Sequence, residues 1–315
     1  MGATVATQDT LATEARQRMR AGVAAAIAAV LILASFVLPG IIFADAPRST
    51  VLRALETAAE PGAVGGAPSG RLAGLQFYAD HAVALVATSV ARGAGFLLIG
   101  LALTFLAFAV RARTEQFPRF AAYLPFVGGV LSAVSYVLSP VGTGIAVDGF
   151  LDGPRTVDAA ATVADDSLIV TAQVIGLPGT LALSLGFVLI CLNAMKVGLL
   201  TRFMGVLGIL AGILFIIPIG SPLPVVQCFW LGGLALLLLG RWPGGDPPAW
   251  RTGRAEPWPT QQELREARQA EGAAALPKAA KPSRQAKEPV AAVAAPASDR
   301  ASHPSSRKKK RKRRA

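Results

Sequence analysis

Six long runs within the first 240 residues are almost free of charge: 21–44, 92–110, 120–141, 167–195, 203–219 and 222–240. Hydrocarbon about 30 Å thick is crossed by about 20 apolar residues rising 1.5 Å each. A backbone at that depth meets no water, so each run must close its hydrogen bonds as a helix. The only charge in the six runs is Arg92, at the edge of the second, where a long side chain reaches the headgroup level. Across the whole chain 16% of residues are charged, against about 25% in soluble domains. The expectation is an all-α, polytopic membrane helix bundle of six spans. The fifth run is the shortest, which leaves two readings: it crosses with little tilt, or it extends across Arg202.

Basic residues in the short connections orient such a bundle. Arg16, Arg18 and Arg20 precede the first run, Arg111, Arg113 and Arg119 join the second to the third, and Lys196 and Arg202 join the fourth to the fifth. The 142–166 connection holds one arginine and five aspartates, and the Gly220-Ser221 turn has no charge. The pattern places both termini in the cytoplasm, with outer loops at 45–91 and 142–166. Ala44-Asp45-Ala46 has the small-x-small form of a leader cleavage site. The preceding apolar run is long for a leader and Pro47 follows, so retention is expected.

In the first outer loop, Ser49 is read as the N-cap of a short amphipathic helix, followed by the flexible PGAVGGAPSG. Residues 71–91 are apolar enough to be helical. They fit either an extension of the second span or a separate helix. Asp148, Asp152, Asp158, Asp165 and Asp166 crowd the other large outer loop. Their spacing is not that of a calcium loop, and a solvated acidic loop is expected.

After residue 240 the composition changes. Residues 241–315 carry 18 Lys/Arg and 7 Asp/Glu, against 13 and 12 in residues 1–240. Trp242, Trp250 and Trp258 fit an interfacial aromatic belt. Thr260 and Glu263 open a capping box for a short helix over 260–271. The rest of the segment, rich in Ala, Pro, Lys and Ser, reads as a disordered basic tail. It ends in eight consecutive cations: Arg307, Lys308, Lys309, Lys310, Arg311, Lys312, Arg313 and Arg314. Each contributes about 1 kcal/mol near an anionic membrane surface. The expected contacts are the lipid bilayer and anionic phospholipid headgroups, together with an unidentified membrane or cytoplasmic protein. Phosphates of a nucleic acid attract the same run, but no aromatic residues interleave it and no folded module surrounds it, which disfavours sequence-specific reading.

Within the runs the polar side chains are few. Gln173 and Gln227 are placed toward the same side and are candidates to face each other across the bundle. Pro178, in Gly-Leu-Pro-Gly, is expected to kink the fourth helix. Gly208 and Gly212 form GxxxG and are expected to pack the fifth helix on Gly232 and Gly233 of the sixth. Cys191 and Cys228 lie in apolar runs without metal-ligand spacing, and His81 beside Asp80 has no second ligand. No nucleophile motif, metal motif or phosphate loop is present. The expectation is therefore no cofactor and no enzymatic activity.

The segment Leu192–Gly205, residues 222–230, Arg241-Trp242-Pro243-Gly244-Gly245, Pro247–Trp250 and Glu256–Pro259 together resemble a group of uncharacterised bacterial multi-pass integral membrane proteins. The likeness covers roughly residues 120–270. It implies a bacterial inner membrane and a six-span bundle, and it transfers no activity or functional residue. The function expected is an accessory, scaffold or sensor subunit. The alternative is a transporter or channel for a neutral or apolar solute, with a pathway near Gln173, Pro178 and Gln227.

Overall fold

The computed structural model describes residues 8–47, 70–216, 224–243 and 245–257, together with positions 263, 265, 266, 268 and 269. The chain divides into two units, Met1–Thr260 and Gln261–Ala315. In the second unit the five described positions are helical, and Thr260 of the expected capping box lies outside the described residues. The eight terminal cations, the short helix read after Ser49, the Gly220-Ser221 turn and Trp258 lie outside the described residues.

In the first unit the regular elements among the described residues are helices. They are α1 (Gln8–Ile42), α2 (Leu72–Asp80), α3 (Ala82–Arg113), α4 (Arg119–Asp152), α5 (Val157–Thr162), α6 (Ser167–Lys196), α7 (Arg202–Ile216), α8 (Val225–Leu238) and α9 (Pro248–Thr252). Four stretches are long and apolar enough to cross a membrane: Ala12–Ile42, Ala82–Arg113, Arg119–Asp152 and Val157–Lys196. Helices α7 and α8 are apolar but shorter, with 15 and 14 residues. At 1.5 Å per residue these two helices are roughly 22 Å long.

Helices α1, α3 and α4 overrun their apolar runs, because a hydrogen-bonded backbone does not stop where hydropathy does. Helix α1 begins at Gln8, within a polar stretch rich in Ala, Glu, Gln and Arg, all good helix formers. Residues 71–91 resolve into both of the readings left open. A separate α2 ends at Asp80, and α3 starts at Ala82, ten residues before Arg92. Helix α4 runs past residue 141 to Asp152, and α2 docks just before this extension through Tyr78, whose hydroxyl donates to the Pro140 carbonyl at 3.4 Å. Burial raises the Tyr78 phenol above its ordinary pKa, partly offset by the Thr143 hydroxyl.

Six apolar helices form a closed ring in the order α1, α3, α4, α6, α7, α8 and back to α1, with α3 also touching α6 across it. Glycine sets the tightest seams. A Cβ on Gly100 would lie 2.5 Å from the Pro125 carbonyl oxygen, and one on Gly129 would lie 2.8 Å from the Phe96 carbonyl oxygen, so α3 and α4 touch backbone to backbone. On the other side of α4, a Cβ on Gly128 would lie 2.5 Å from the Leu183 amide nitrogen of α6. Without a hydrophobic force between helices in lipid, such close van der Waals packing is what drives association. The centre is filled by rings: Phe187 lies 4.9 Å from Trp230 and 5.5 Å from Phe215, and Phe96 lies 5.6 Å from Phe215.

Candidate functional site

One end of the ring gathers its charges. The start of α1 and the ends of α3, α6 and α8 meet there, and the chain after α8 folds back beneath them. Two turns make this possible. Gly198, at φ 78°, ends α6 with Gly198 N–H donating to Met195 and Leu199 N–H to Ala194. Gly240, at φ 71°, ends α8 with the equivalent pair, Gly240 to Leu237 and Arg241 to Leu236. These are Schellman caps, for which a left-handed glycine is the usual residue. Gly198 is doubly constrained, because a Cβ there would collide with the Glu256 carbonyl. The returning strand is held at that point by Glu256 N–H donating to the Val197 carbonyl at 3.1 Å.

Trp250, on the short α9, is the hub. It is 8% exposed, and its indole N–H donates to the Leu199 carbonyl at 3.0 Å. The guanidinium carbons of Arg18 and Arg113 stand 4.8 Å and 5.1 Å from its ring centroid, and Phe105 stacks on it at 6.0 Å. Each arginine has one acidic partner. Arg18 pairs with Asp246 at 2.6 Å, and Arg113 pairs with Glu14 at 2.8 Å. The Arg113 side chain is fully enclosed and also donates twice to the Ala249 carbonyl, at 2.9 Å and 3.1 Å. Arg18 donates to the Leu237 carbonyl, while its buried Nε has no partner. The arrangement neutralises two buried cations and ties residues 246–256 to four helices.

This cluster corrects the reading of residue 241 as the start of a disordered tail. Residues 245–257 belong to the folded unit, and Trp250 is a packed residue, not an interfacial belt residue. Hydropathy misses it because Pro, Gly and charged neighbours make the segment look like a linker. The signal available was a large aromatic after Pro247-Pro248, with unexplained cations at the ends of two runs.

The structure separates the remaining candidates. Gln173 is exposed on α6, whereas Gln227 is buried on α8, 6% exposed, and no hydrogen bond joins them. The expected pairing does not form, because Gln173 faces away from the protein interior while Gln227 is turned into it. Pro178 is exposed, and α6 continues from Ser167 to Lys196 without a break. Gly208 and Gly212 are buried as expected, but their main partner is α6. A Cβ on Gly212 would lie 2.7 Å from the Phe187 Cβ, and Gly208 faces Cys191 and the Trp230 indole. The Ser184 hydroxyl donates to the Gly212 carbonyl at 2.6 Å. Gly233 faces Met204 and Gly232 faces nothing, so the glycine-to-glycine α7–α8 contact is corrected.

Arg92 is also held differently from expectation. It does not snorkel outward. Its guanidinium donates to the Ser35 carbonyl and hydroxyl and lies 4.0 Å from the Phe36 ring centroid and 5.5 Å from that of Tyr136. The side chain therefore bridges α1, α3 and α4. His81 Nδ1 lies 2.9 Å from the Phe77 carbonyl, an acceptor, so that nitrogen carries the proton. The ring stacks on Phe77 at 4.1 Å rather than pairing with Asp80. Asp166 caps α6 by accepting from Leu168 N–H at 2.9 Å. Among the described residues no three His, Cys, Asp or Glu side chains gather as a metal site.

Comparison with protein-family models, with curated proteins and with solved structures finds no match.

Proposed function

We propose that this chain is a six-span scaffold or accessory subunit of a bacterial inner membrane, without enzymatic activity, with both termini cytoplasmic and a polybasic tail that contacts anionic lipid. The observation that carries the reading is the filled centre of the ring. Phe96, Phe187, Phe215 and Trp230 occupy the place where a solute pathway would run. The Trp230 N–H is itself satisfied by the Met204 carbonyl at 2.8 Å. The cluster around Trp250 supports the same reading, since it fixes the beginning of the C-terminal region against the bundle. The six-span count rests on the up-and-down order of the ring, with the connections rich in basic residues at one end. The transporter alternative has less support, because Gln173 and Pro178 are exposed on the outside of α6.

The test uses the full chain in nanodiscs of zwitterionic lipid, presented with vesicles that contain phosphatidylglycerol. Capture of the vesicles should weaken steeply with salt and disappear when Arg307–Arg314 are replaced by glutamine. Capture that is unchanged by the replacement would remove the tail from the function. In parallel, proteoliposomes should show no flux of neutral solutes above protein-free vesicles, and tags on the two ends should report the cytoplasmic face. Solute flux would favour the transporter, and tags on opposite faces would overturn the span count.

A further inference from the structure

A groove of about 550 Å³ opens between α1 and α3 on the outside of the ring, near the charged end. This volume lies within the range of sites that hold small molecules, about 300–1,000 Å³. Its walls are Ala21 and Ala24 of α1 and Leu101, Phe105 and Phe108 of α3. Both helices present apolar side chains beside it, with Val23 and Ile27 46% exposed, Leu101 42% and Phe108 41%. This is the surface of a helix that meets acyl chains. The two helices run antiparallel, and residues 17–24 and 101–108 each cover roughly 10 Å of depth.

The charged end of the groove differs from its walls. Gln17 and Arg20 line it and are exposed. The two neighbouring basic residues of the cluster are satisfied, Arg18 by Asp246 and Arg113 by Glu14. Arg20 has no carboxylate or hydrogen-bond partner among the described residues, and the nearby acids Glu14 and Asp246 are already committed. The Thr104 hydroxyl turns inward to the Gly100 carbonyl at 2.6 Å and adds no free polar group to the wall. A cation without a counter-ion thus sits at the mouth of an apolar slot.

We propose that this groove binds one anionic glycerophospholipid from the leaflet that adjoins the charged end. The Arg20 guanidinium and the Gln17 amide take the headgroup phosphate, with Arg20 supplying paired donors. One acyl chain lies along Ala21, Ala24, Leu101, Phe105 and Phe108. Phe105 also stacks on Trp250, so the bound chain rests against the ring that organises the cluster. The site rests on the membrane-embedded part of the proposed function, with α1 and α3 in the bilayer. It is independent of the tail, of the span count and of which face is cytoplasmic.

Native mass spectrometry of the purified full chain in detergent, titrated with dioleoylphosphatidylglycerol or dioleoylphosphatidylcholine, tests it. The wild-type chain should retain one phosphatidylglycerol in preference to phosphatidylcholine. Arg20→Gln should weaken that retention about fivefold, the effect of one basic residue near a lipid phosphate, while Arg20→Lys keeps most of it. Ala24→Trp, which fills the slot, should abolish retention without lowering the melting temperature of the lipid-free protein. A full chain with Arg307–Arg314 changed to glutamine should retain the lipid as wild type does. Equal retention of the two lipids, or unchanged retention in both groove variants, overturns the proposal. Loss only in the tail variant also overturns it and leaves the tail reading standing, whereas failure of vesicle capture with groove retention intact removes the tail reading alone.

Discussion

Trp250 presents its ring to Arg113 at 5.1 Å while Arg113 donates to the carbonyl of Ala249, the residue before it. One arginine at the end of α3 thus holds both the side chain and the backbone of the returning segment. The geometry couples the stability of the bundle to residues beyond its last long helix.

Trp250→Ala should destabilise the folded unit by about 3–5 kcal/mol, the usual cost of emptying a buried aromatic site. Trp250→Phe should recover most of the packing but lose the bond to Leu199. Unfolding in mixed detergent, monitored by circular dichroism, separates the two. A wild-type midpoint for Trp250→Ala would show that the indole is not a structural hub.

Arg113→Ala should be nearly as damaging, about 3–5 kcal/mol, because it leaves Glu14 and the Ala249 carbonyl without their shared donor. Arg113→Lys should rescue only in part, since an ammonium cannot match the several directed bonds of a guanidinium. Melting temperatures of the two variants and of Glu14→Gln check the order, with Glu14→Gln expected to be mildest because Glu14 is the more exposed partner.

Truncation marks where the folded unit ends. A chain ending at residue 260 should melt at the wild-type temperature, since every contact of residues 245–257 is retained. A chain ending at residue 240 loses Asp246 and Trp250 and should melt well below it. Equal melting of the two would contradict the packing of residues 245–257 against the bundle.

Glycine substitutions on α4 offer a contrast within one helix. Gly128→Ala drives a methyl into the Leu183 amide and should cost about 1–3 kcal/mol through strain on the α4–α6 seam. Gly144→Ala meets nothing within 4 Å and should be neutral or stabilising by up to about 1 kcal/mol. Thermal unfolding of the two variants reads the difference directly.

Sequence alone determined that the chain is helical, where its apolar stretches lie, and that basic residues collect at the connections on one side. Those properties are local. A charge-free run about 20 residues long has one way to hide its backbone from lipid, whatever its neighbours are. The fourth run illustrates this, since helix α6 starts and stops within one residue of its apolar limits. Partners are not local. Gly208 and Gly212 were legible as a small-residue face, but the rotation and neighbours of α7 in the ring turn that face to Ser184, Phe187 and Cys191 of α6 and to the Trp230 ring of α8. Gln173 and Gln227 were legible as polar groups within apolar runs, but only the packing shows that the first is exposed and the second buried. The clasp around Trp250 needed the tertiary structure altogether. Its members, Glu14, Arg18, Arg113, Asp246 and Trp250, are up to 236 positions apart in the chain. Only the closure of the ring brings them within the few ångströms over which an ion pair or a cation above an aromatic ring outweighs contact with water.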